Sequence, residues 1–410
     1  MKTLRLRNFS SASDRRKALE KELKVNLKNI SSFTLDEAVA SSRNCENMIG
    51  IAQVPMGVAG PLRISDIRDR TSDVYIPLAT TEGALVASVN RGCKAITESG
   101  GATVDNYRVG ATRGPVFKVN NLIDNNRLNT FLDEHLEDLK KIAQKTSHHL
   151  KLKKLITRGV GKYRFIRFAF DTADAMGMNM VTIATQELVQ YIEKQTGALC
   201  VSVAGNFDID KKPAWLNVIE NRGFKAWAEV TLPSSVLRAV LKTSASKIYE
   251  VWLAKCMIGS AMSGSMGFNA QYANVIAATF LATGQDLGHV GEGSMGITTC
   301  EVTSSSSRAS SASRGISLDD NGIPGQARDD SLYVSVYLPD LMVGTVGGGT
   351  GLATQKEALK IIGVDRSHEF AQVVGAAVLA GEISLLASLS EGTLASSHQR
   401  LARGKQISKF

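Results

Sequence analysis

YRFIRFAFDTADAMGMNMVTIATQELVQYIEKQTG, residues 163–197, changes its hydrophobic period once along its length. Ile166, Phe168 and Phe170 lie on alternate positions, which predicts a strand with one buried face. After the turn, apolar side chains return every three or four positions, which predicts a helix that ends at the closing glycine. A strand followed by a helix predicts a small α+β domain, which we place at residues 116–203.

The turn DTADAMGMN joins that strand to that helix. Asp171, Thr172 and Asp174 are candidate caps of the helix. Gly177 allows the backbone to approach a ligand, and a helix N-terminus attracts phosphate. Because the GxGxxG fingerprint is absent, a plain capped helix and an anion-binding turn both stay open, and the residues alone favour the capped helix. TVGGGTGLATQKEAL, residues 345–359, is a second glycine-rich turn with the same two interpretations.

The length and composition of the chain limit the classes of protein to which it can belong. A chain of 410 residues is too long for one compact core, which predicts two domains. The net charge of +9 fits nucleic acid, an acidic membrane surface or polyanionic small molecules, and it does not choose among them. Aromatic residues make up only 6% and do not interleave with basic stretches, which disfavours binding of single-stranded nucleic acid.

Cysteine usage and hydropathy bear on location. The five cysteines are scattered and free of CxxC spacing, which predicts a reducing compartment and no metal site. The N-terminal stretch lacks the apolar region of a signal peptide. The most apolar segment, Phe370–Leu389, contains Gln372 and Glu382, so it predicts a buried helix and not a membrane span. We therefore expect a cytoplasmic protein with no membrane partner.

Residues 303–330, TSSSSRASSASRGISLDDNGIPGQARDD, show no apolar period. The flanking stretches GITTCEV and LYVSVYLP alternate as strands do. The pattern predicts a hairpin of the large domain whose tip carries a long flexible insertion, because loop closure costs little more as a loop lengthens. We assign the insertion no catalytic role.

Four further stretches contain side chains that could carry chemistry. TTEGALVASVNRGCKAI, residues 80–96, predicts a helix capped by Thr81, with Glu82 in its first turn as a dipole partner or, if buried, an acid. GSAMSGSMGFNAQYANVIAATFLATG predicts one closely packed small-residue helix, with Asp286 in the turn after it. GNFDIDKKPAW holds two adjacent lysines, which cannot share a face. His398 lies in a polar, basic segment, where a lone histidine is more often solvated.

Nine stretches, taken together and in one order, indicate a protein family far more specifically than any one of them does. They are CENMIGIAQVPMGVAGPL, TTEGALVASVNRG, TRGPV, DAMGMNMV, GNFDIDKKPA, GSAMSGSMGFNA, GQD, TVGGGTGLATQ and GEISLLASLSEGTLASSH. In this order the chain resembles hydroxymethylglutaryl-CoA (HMG-CoA) reductase from about residue 44 to 404, apart from the insertion. The DAMGMN form is similar to the biosynthetic class I pattern more than to the degradative one.

The resemblance implies an α+β fold with a large acyl-CoA-binding domain, residues 44–115 and 204–410, built around a central long helix. Residues 116–203 would be the inserted small α+β domain that binds the dinucleotide, and residues 1–43 an N-terminal helical segment. The implied reaction is the four-electron reduction of (S)-HMG-CoA to mevalonate and CoA with two NADPH, in the mevalonate and isoprenoid pathway. The resemblance also implies a homodimer, or a higher homo-oligomer, with active sites at the subunit interface.

Carried over residue by residue, the motifs imply four catalytic residues. Lys211 would stabilise the oxyanion that forms when hydride adds to the thioester carbonyl. His398, as an imidazolium, would protonate the departing CoA thiolate. Glu82 would supply the proton for the second reduction. Asp286 would lie between Lys211 and Glu82, where it keeps the lysine charged and tunes the glutamate as part of one coupled set.

The same carry-over implies the binding residues. The substrate-binding positions are Arg113, Asp210, Lys212, Asn90, Arg91, Lys255 and Asn274. The cofactor-binding positions are Asp174, Met176, Gly177, Met178 and Asn179, with Ser147 and His148 at the adenosine 2′-phosphate. NADPH is the implied cofactor, and NADH is less favoured. His148 takes the place of the family's frequent arginine, Ala204 that of a substrate-contacting serine, and Gln271 that of a histidine.

Three other functions compete with this prediction. A degradative relative would run the reaction in reverse and oxidise mevalonate with NAD⁺. A non-catalytic relative would bind acyl-CoA only, which the presence of all four catalytic residue types disfavours. A nucleic-acid-binding protein would use the positive net charge and would bind DNA in a salt-dependent way.

Overall fold

A computed structural model describes residues 8–28, 31–303 and 330–393 of the chain. The helices in these ranges are α1 Ala12–Leu23, α2 Glu37–Arg43, α3 Leu85–Glu98, α4 Leu122–Glu134, α5 Leu136–Thr146, α6 Met178–Thr196, α7 Trp215–Ile219, α8 Ser234–Val236, α9 Ala245–Val251, α10 Ser260–Ser263, α11 Tyr272–Thr283, α12 Val290–Gly293, α13 Ala353–Ile362 and α14 Ser367–Ser390. Wider π-helical turns cover Leu237–Leu241 and Trp252–Gly259, and tighter 3₁₀ turns cover Leu287–His289 and Gly348–Gly351.

The strands in the same ranges are β1 Met56–Asp66, β2 Thr71–Ala79, β3 Ala102–Arg113, β4 Val116–Lys118, β5 Lys151–Val160, β6 Tyr163–Asp171, β7 Leu199–Ser202, β8 Arg222–Leu232, β9 Ile297–Thr303 and β10 Ser331–Leu341. They form one sheet in the order β7-β4-β6-β3-β8-β10-β9, with β5 on β6, and with β1 pairing both β3 and β2. This mixed arrangement confirms the predicted α+β fold class.

Strand β3 joins the two halves of this sheet. Its residues from Thr103 to Gly110 pair with β8, and its last three residues pair antiparallel with β6. Two hydrophobic clusters flank the junction. The larger one surrounds α14, α3 and α11. The smaller one contains the predicted buried face, Ile166, Phe168 and Phe170, together with Leu188 of α6.

Helix α14 is almost entirely buried against β8, β3, β10 and α3. Within the described ranges it is the one helix long and apolar enough to cross a membrane, but 78% of its most apolar window is buried inside the chain. The structure therefore confirms the prediction of a buried helix at Phe370–Leu389, and it confirms that a long central helix organises the large hydrophobic cluster.

Glu382 explains why the small-residue stretch is not one helix, as the sequence predicted. The stretch is interrupted between α10 and α11. The carboxylate of Glu382, which is fully buried in α14, accepts hydrogen bonds from the N–H groups of Ala270 and Gln271 and from the hydroxyl of Thr298. A loop held by a buried carboxylate in this way cannot continue the helical hydrogen-bond pattern.

Other helix boundaries also differ from the predictions. Helix α3 begins at Leu85 after Ala84, which has φ 77°, so neither Thr81 nor Glu82 lies in its first turn and Thr81 is not its cap. The charged stretch 131–155, whose sequence predicts one amphipathic helix that runs into a basic segment, instead forms the end of α4, α5 and the start of β5, and His135 separates the two helices.

The predicted hairpin is confirmed at its flanks. Strands β9 and β10 pair antiparallel, with Val334 opposite Cys300 and Ser331 opposite Thr303. Most of the predicted insertion, residues 304–329, lies outside the described residues.

The close approach of α3 and α14 generates a stability prediction. A Cβ atom on Gly92 would overlap the backbone carbonyl of Ala380, so Gly92→Ala must push the two helices apart. We expect this variant to lower the free energy of unfolding by about 1–3 kcal/mol in urea titrations. Gly375→Ala, in the same long helix, is the control, because its Cβ would lie 3.8 Å from Trp227 O and only helix propensity changes. Equal stability of Gly92→Ala and the unmodified protein would contradict the close contact.

Candidate active site

Lys211 lies in the loop between β7 and α7, in a backbone conformation that needs support. Asn206, Ile209 and Lys211 have φ values of 62°, 51° and 58°. Residues other than glycine rarely adopt this region, so tertiary contacts must hold the loop. Lys211 Nζ lies 2.7 Å from Asp286 Oδ2, and 44% and 35% of the two side chains are exposed. The structure thus brings together two of the predicted catalytic residues at an accessible position.

Asp286 begins the 3₁₀ turn Leu287–His289. Its Oδ1 accepts a hydrogen bond of 2.9 Å from the N–H of Gly288. Partial burial acts to raise the pKa of Asp286, but the hydrogen bonds from Lys211 and Gly288 outweigh burial, so its pKa lies below the ordinary value. An ionised Asp286 therefore gives the Lys211 ammonium a fixed counter-charge at neutral pH.

The loop that contains Lys211 also forms part of the wall of a cavity of about 940 Å³. Glu82, Lys255 and Asn274 line it, and Pro213, two residues after Lys211, forms part of its wall. Asn274 Nδ2 donates to Glu82 Oε1 at 3.3 Å. Three predicted residues from three separate stretches therefore face one cavity large enough for a small-molecule ligand.

The other two predicted catalytic residues are Glu82 and His398. Glu82 is exposed and its backbone N–H binds the hydroxyl of Thr80, before α3 begins. Across the described ranges, no hydrogen bond or ion pair joins Glu82 to Asp286. The coupling of these two carboxylates stays a prediction. His398 lies outside the described residues, and its role stays a prediction as well.

The predicted substrate group Arg113, Asp210 and Lys212 belongs to one ion-paired cluster. Arg113 Nη1 lies 3.3 Å from Asp208 Oδ2 and 3.5 Å from Asp210 Oδ2. Asp210 Oδ1 also accepts from Arg222 Nη2 at 2.9 Å. Lys212 is exposed and donates to the backbone carbonyl of Asp210 at 3.0 Å. Nη1 alone makes these contacts, and Nε has no hydrogen-bond partner among the described residues, so the guanidinium keeps donors for a ligand carboxylate.

Asn90 and Arg91 hold helix α3 in place. Asn90 Oδ1 accepts from the N–H of Gly60 in β1 at 2.9 Å. Arg91 donates to the hydroxyl and carbonyl of Ser384 and to the hydroxyl of Ser388 in α14. Burial lowers the pKa of Arg91. These polar groups bind within the protein, and their contacts with substrate stay a prediction.

The turn before α6 is built without a side-chain cap. Gly177 has φ 87° and precedes the helix as its N-cap. The prediction of Asp171, Thr172 or Asp174 as the cap is therefore wrong. Thr172 binds carbonyls within the turn, and Asp174 accepts from the N–H and hydroxyl of Ser367. Among the described residues, no side chain accepts a hydrogen bond from the first N–H groups of α6, and such free N–H groups attract anions.

The two glycine-rich turns singled out in the sequence lie side by side. Ala175 forms an isolated parallel bridge with Val346, and the N–H of Thr345 donates to the carbonyl of Asp174 at 2.8 Å. Two anion-binding candidates that are weak separately therefore form one surface. Met176 and Gly177 belong to this surface.

The other predicted cofactor residues lie around the same turn. Met178 is buried and its sulfur accepts from Arg222 Nη2 at 3.3 Å, whereas Asn179 is exposed. Ser147 and His148 precede β5, whose first residue pairs with the last residue of β6, directly before the turn. Ser147 Oγ accepts from the N–H of the residue after His148, and His148 is exposed. The structure thus places the proposed 2′-phosphate stretch beside the predicted dinucleotide turn.

A buried charge network beneath these loops was missed in the sequence. Arg222 is fully buried and donates to Glu292 Oε1, to Asp210 Oδ1 and to the hydroxyl of Thr112. His289 is also fully buried, and its Nδ1 contacts Glu292 Oε1. The network therefore connects strand β3, the loop of residues 203–214 that contains Lys211 (the lysine loop) and the segment that follows Asp286.

The network continues through Asp340. Asn217 Nδ2 donates to Asp340 Oδ2 at 2.6 Å, and Arg167 Nη2 donates to Asn217 Oδ1 at 2.9 Å. Burial, reinforced by the charge of Glu292, holds the pKa of Asp340 well above its ordinary value. The available sequence signal was Asp340, which continues the alternating apolar face of Leu332, Val334, Val336 and Leu338.

Comparison with known proteins identifies the family. The model of hydroxymethylglutaryl-coenzyme A reductase matches residues 11–403. The chain belongs to this family. The 3-hydroxy-3-methylglutaryl-coenzyme A reductase of Methanothermobacter thermautotrophicus is 45% identical over 95% of this chain and 93% of its own length. That of Methanocaldococcus jannaschii is 46% identical over 95% and 92%. These matches also identify this family member as an oxidoreductase.

More distant relatives extend the comparison. The 3-hydroxy-3-methylglutaryl-coenzyme A reductase 1 of Dictyostelium discoideum is 37% identical over 95% of this chain and 68% of its own length. A class II reductase of Streptococcus pneumoniae, solved with bound NADPH in open conformations, has a TM-score of 0.66 and 16% identity over 93% of this chain and 98% of that one. The structural likeness shows the fold, and it does not confirm the finer resemblance to class I.

Proposed function

We propose that this chain reduces (S)-HMG-CoA to mevalonate and CoA with two NADPH, in the biosynthetic direction. The Lys211–Asp286 ion pair carries the proposal. It holds an ammonium 2.7 Å from a carboxylate at an accessible position, two residues before Pro213 in the wall of a cavity of about 940 Å³. Reduction of a thioester develops negative charge on oxygen, and a fixed ammonium stabilises that charge without reorganising in the reaction.

The proposed catalytic residues have different roles in the two reduction steps. Lys211 stabilises the carbonyl oxygen in both steps, and Asp286 keeps it charged and oriented. Glu82 faces the cavity with one oxygen bound to Asn274, so its other oxygen is available to donate a proton to the aldehyde oxygen. We assign His398 the protonation of the CoA thiolate on the strength of its motif.

The substrate carboxylate is proposed to bind at the lysine loop. Arg113, Asp210 and Lys212 lie in one cluster there, and a guanidinium is the best partner for a planar carboxylate. We assign Asn90, Arg91, Lys255 and Asn274 to the surrounding ligand contacts, and the place of Lys255 and Asn274 in the cavity supports two of these assignments.

The dinucleotide is proposed to bind at the paired glycine-rich turns, and when bound it supplies the hydride. The uncapped N-terminus of α6 fits a pyrophosphate, because its first N–H groups lack side-chain partners. Asp174, Met176, Gly177, Met178 and Asn179 would contact it. Ser147 and His148, with exposed Lys151 and Lys154 nearby, would receive the 2′-phosphate that distinguishes NADPH from NADH.

Assignment to the biosynthetic class I pattern is part of the proposal. The DAMGMN turn supports it.

We propose the domain division 44–115 with 204–410 for HMG-CoA, and 116–203 for the dinucleotide, with 1–43 as an N-terminal helical segment. The two separate hydrophobic clusters support this division. We also propose a homodimer with active sites between subunits. Leu253, Ile258 and Met262 support it, because they are 38%, 55% and 83% exposed next to the cavity-lining residues of the same segment.

A cytoplasmic location completes the proposal. All five cysteines lie in described ranges and are free thiols, which suits a reducing compartment. Burial raises the pKa of Cys93 and Cys256 to about 12, so these two thiols are inert core residues.

Cofactor preference tests the proposed direction. Steady-state oxidation of NADPH and NADH by purified protein with HMG-CoA should give a kcat/KM at least about 10-fold higher for NADPH, because the basic 2′-phosphate stretch contacts only that nucleotide. Mevalonate oxidation with NAD⁺ is measured in parallel. A strong preference for NADH or NAD⁺ would replace the proposal with the degradative reaction. CoA binding without any NADPH oxidation would replace it with a non-catalytic acyl-CoA-binding function.

The separate roles of the adjacent lysines give a second prediction. Lys211→Ala should lower kcat by about 10²–10³-fold with HMG-CoA and with added mevaldehyde, because both steps lose the oxyanion partner. Lys212→Ala should chiefly raise the KM for HMG-CoA, and Lys141→Ala, on the surface of α5, is the unaffected control. Retention of mevaldehyde reduction by Lys211→Ala would contradict the role of Lys211 in both steps.

A further inference from the structure

The structure assigns a positioning role to His289, a buried histidine that neither the family motifs nor the proposed chemistry uses. Its Nδ1 contacts Glu292 Oε1, and its Nε2 lies 3.8 Å from Asp286 Oδ2. The imidazole thus stands between a fully buried carboxylate and the carboxylate that pairs with Lys211. The inference rests on the proposed function, because Asp286 and Lys211 are catalytic only there.

The second ring nitrogen of His289 is the observation that requires an explanation. Nε2 is buried and has no hydrogen-bond partner among the described residues. An unpaired buried polar group costs about 1–3 kcal/mol, so native structures rarely leave one without a role. Its neighbour Asp286 Oδ2 is too distant for a hydrogen bond, and a relative movement of roughly 1 Å would form one.

Charged groups alternate along the resulting chain of contacts. Arg222 from β8 contacts Glu292 in α12 and lies 3.4 Å from His289 Nδ1. His289 faces Asp286, and Asp286 pairs with Lys211 in the lysine loop. Glu292 therefore lies between Arg222 and His289, and Asp286 lies between His289 and Lys211. Asp340 of β10 contributes a further acidic group beside Glu292.

Through Asp286, His289 influences the orientation of the Lys211 ammonium. With a proton on both ring nitrogens, His289 donates Nδ1–H to Glu292 and directs Nε2–H toward Asp286 Oδ2, the atom that holds Lys211 Nζ. Without His289, Asp286 keeps, among the described residues, the pair with Lys211 and the bond from the N–H of Gly288 to its other oxygen. Because His289 is fully buried, it acts through Asp286 and does not touch substrate. Its loss therefore affects catalytic rate more than substrate binding.

Two variants test this role. His289→Leu should lower kcat for HMG-CoA reduction by about 10–100-fold, with both KM values within about threefold, because only orientation in the transition state is lost. His289→Gln should recover at least about fivefold of that loss, since its amide can donate to Asp286. His135→Gln, whose ring binds the carbonyl of Phe131 in the small cluster, is the matched control. Unchanged kcat in His289→Leu, or failure of His289→Gln to recover any rate, would overturn the role.

A double-mutant cycle with Asp286→Asn separates this inference from the proposed function. If His289 acts through Asp286, adding His289→Leu to Asp286→Asn should cost less than about twofold in further rate. The same cycle on urea unfolding, which needs no substrate, should also be non-additive. Additive effects in the unfolding cycle would overturn the contact between the two residues. Absence of NADPH oxidation by the unmodified protein would instead overturn the proposed function, and the unfolding cycle would still decide the His289 contact.

Discussion

The fully buried guanidinium of Arg222 is the interaction on which the arrangement of the site depends. Its donors reach Thr112 in β3, Asp210 in the lysine loop and Glu292 in α12. Burial acts to lower the pKa of Arg222, but the surrounding acids, led by Asp340, outweigh burial and raise it. Removing one partner of a buried ion pair typically costs about 3–5 kcal/mol, so these connections hold firmly. The loop that contains Lys211 and the segment that follows Asp286 are therefore both bound to the same buried guanidinium.

A second buried charge holds another part of the cavity wall. Glu382 fixes the loop at Ala270 and Gln271, just before α11 and Asn274. Burial raises the pKa of Glu382, against the hydrogen bonds that favour its ionised form. The cavity thus lies between two loops whose backbones are fixed by buried side chains, which suits a site that must orient a thioester and a hydride donor. Gln271, which takes the place of the family's histidine, also donates to the backbone carbonyl of Gly381 and so holds the loop against α14.

The fold was predictable wherever a periodic pattern reflected one buried face. Strand β6, helix α6, the β9–β10 hairpin and the buried α14 all follow from their sequences. The failures occur where tertiary contacts overrode local preference. Asp174 binds Ser367 at the start of α14 instead of capping α6, and Glu382 interrupts the small-residue helix. Neither contact is visible from a local window, because each joins segments distant in sequence.

The candidate site was predictable only in part, and for a different reason. The order of motifs implied Lys211 and Asp286, and the structure brings these two together. No local pattern could imply Arg222, Glu292 and His289, because burial of a charge is decided by packing and not by neighbours in sequence. The resemblance therefore supplied the residues proposed to touch substrate, whereas the structure supplied those that hold them in place.

Hydrogen–deuterium exchange of an Arg222→Lys variant tests the central claim most directly. Lysine keeps the positive charge but cannot reach three partners at once. Exchange should accelerate together in residues 205–212 and 286–293, while β8 and β10 keep the protection of the unmodified protein. Unchanged exchange in both loops, or a change in only one of them, would contradict the account that a single buried guanidinium holds both sides of the site.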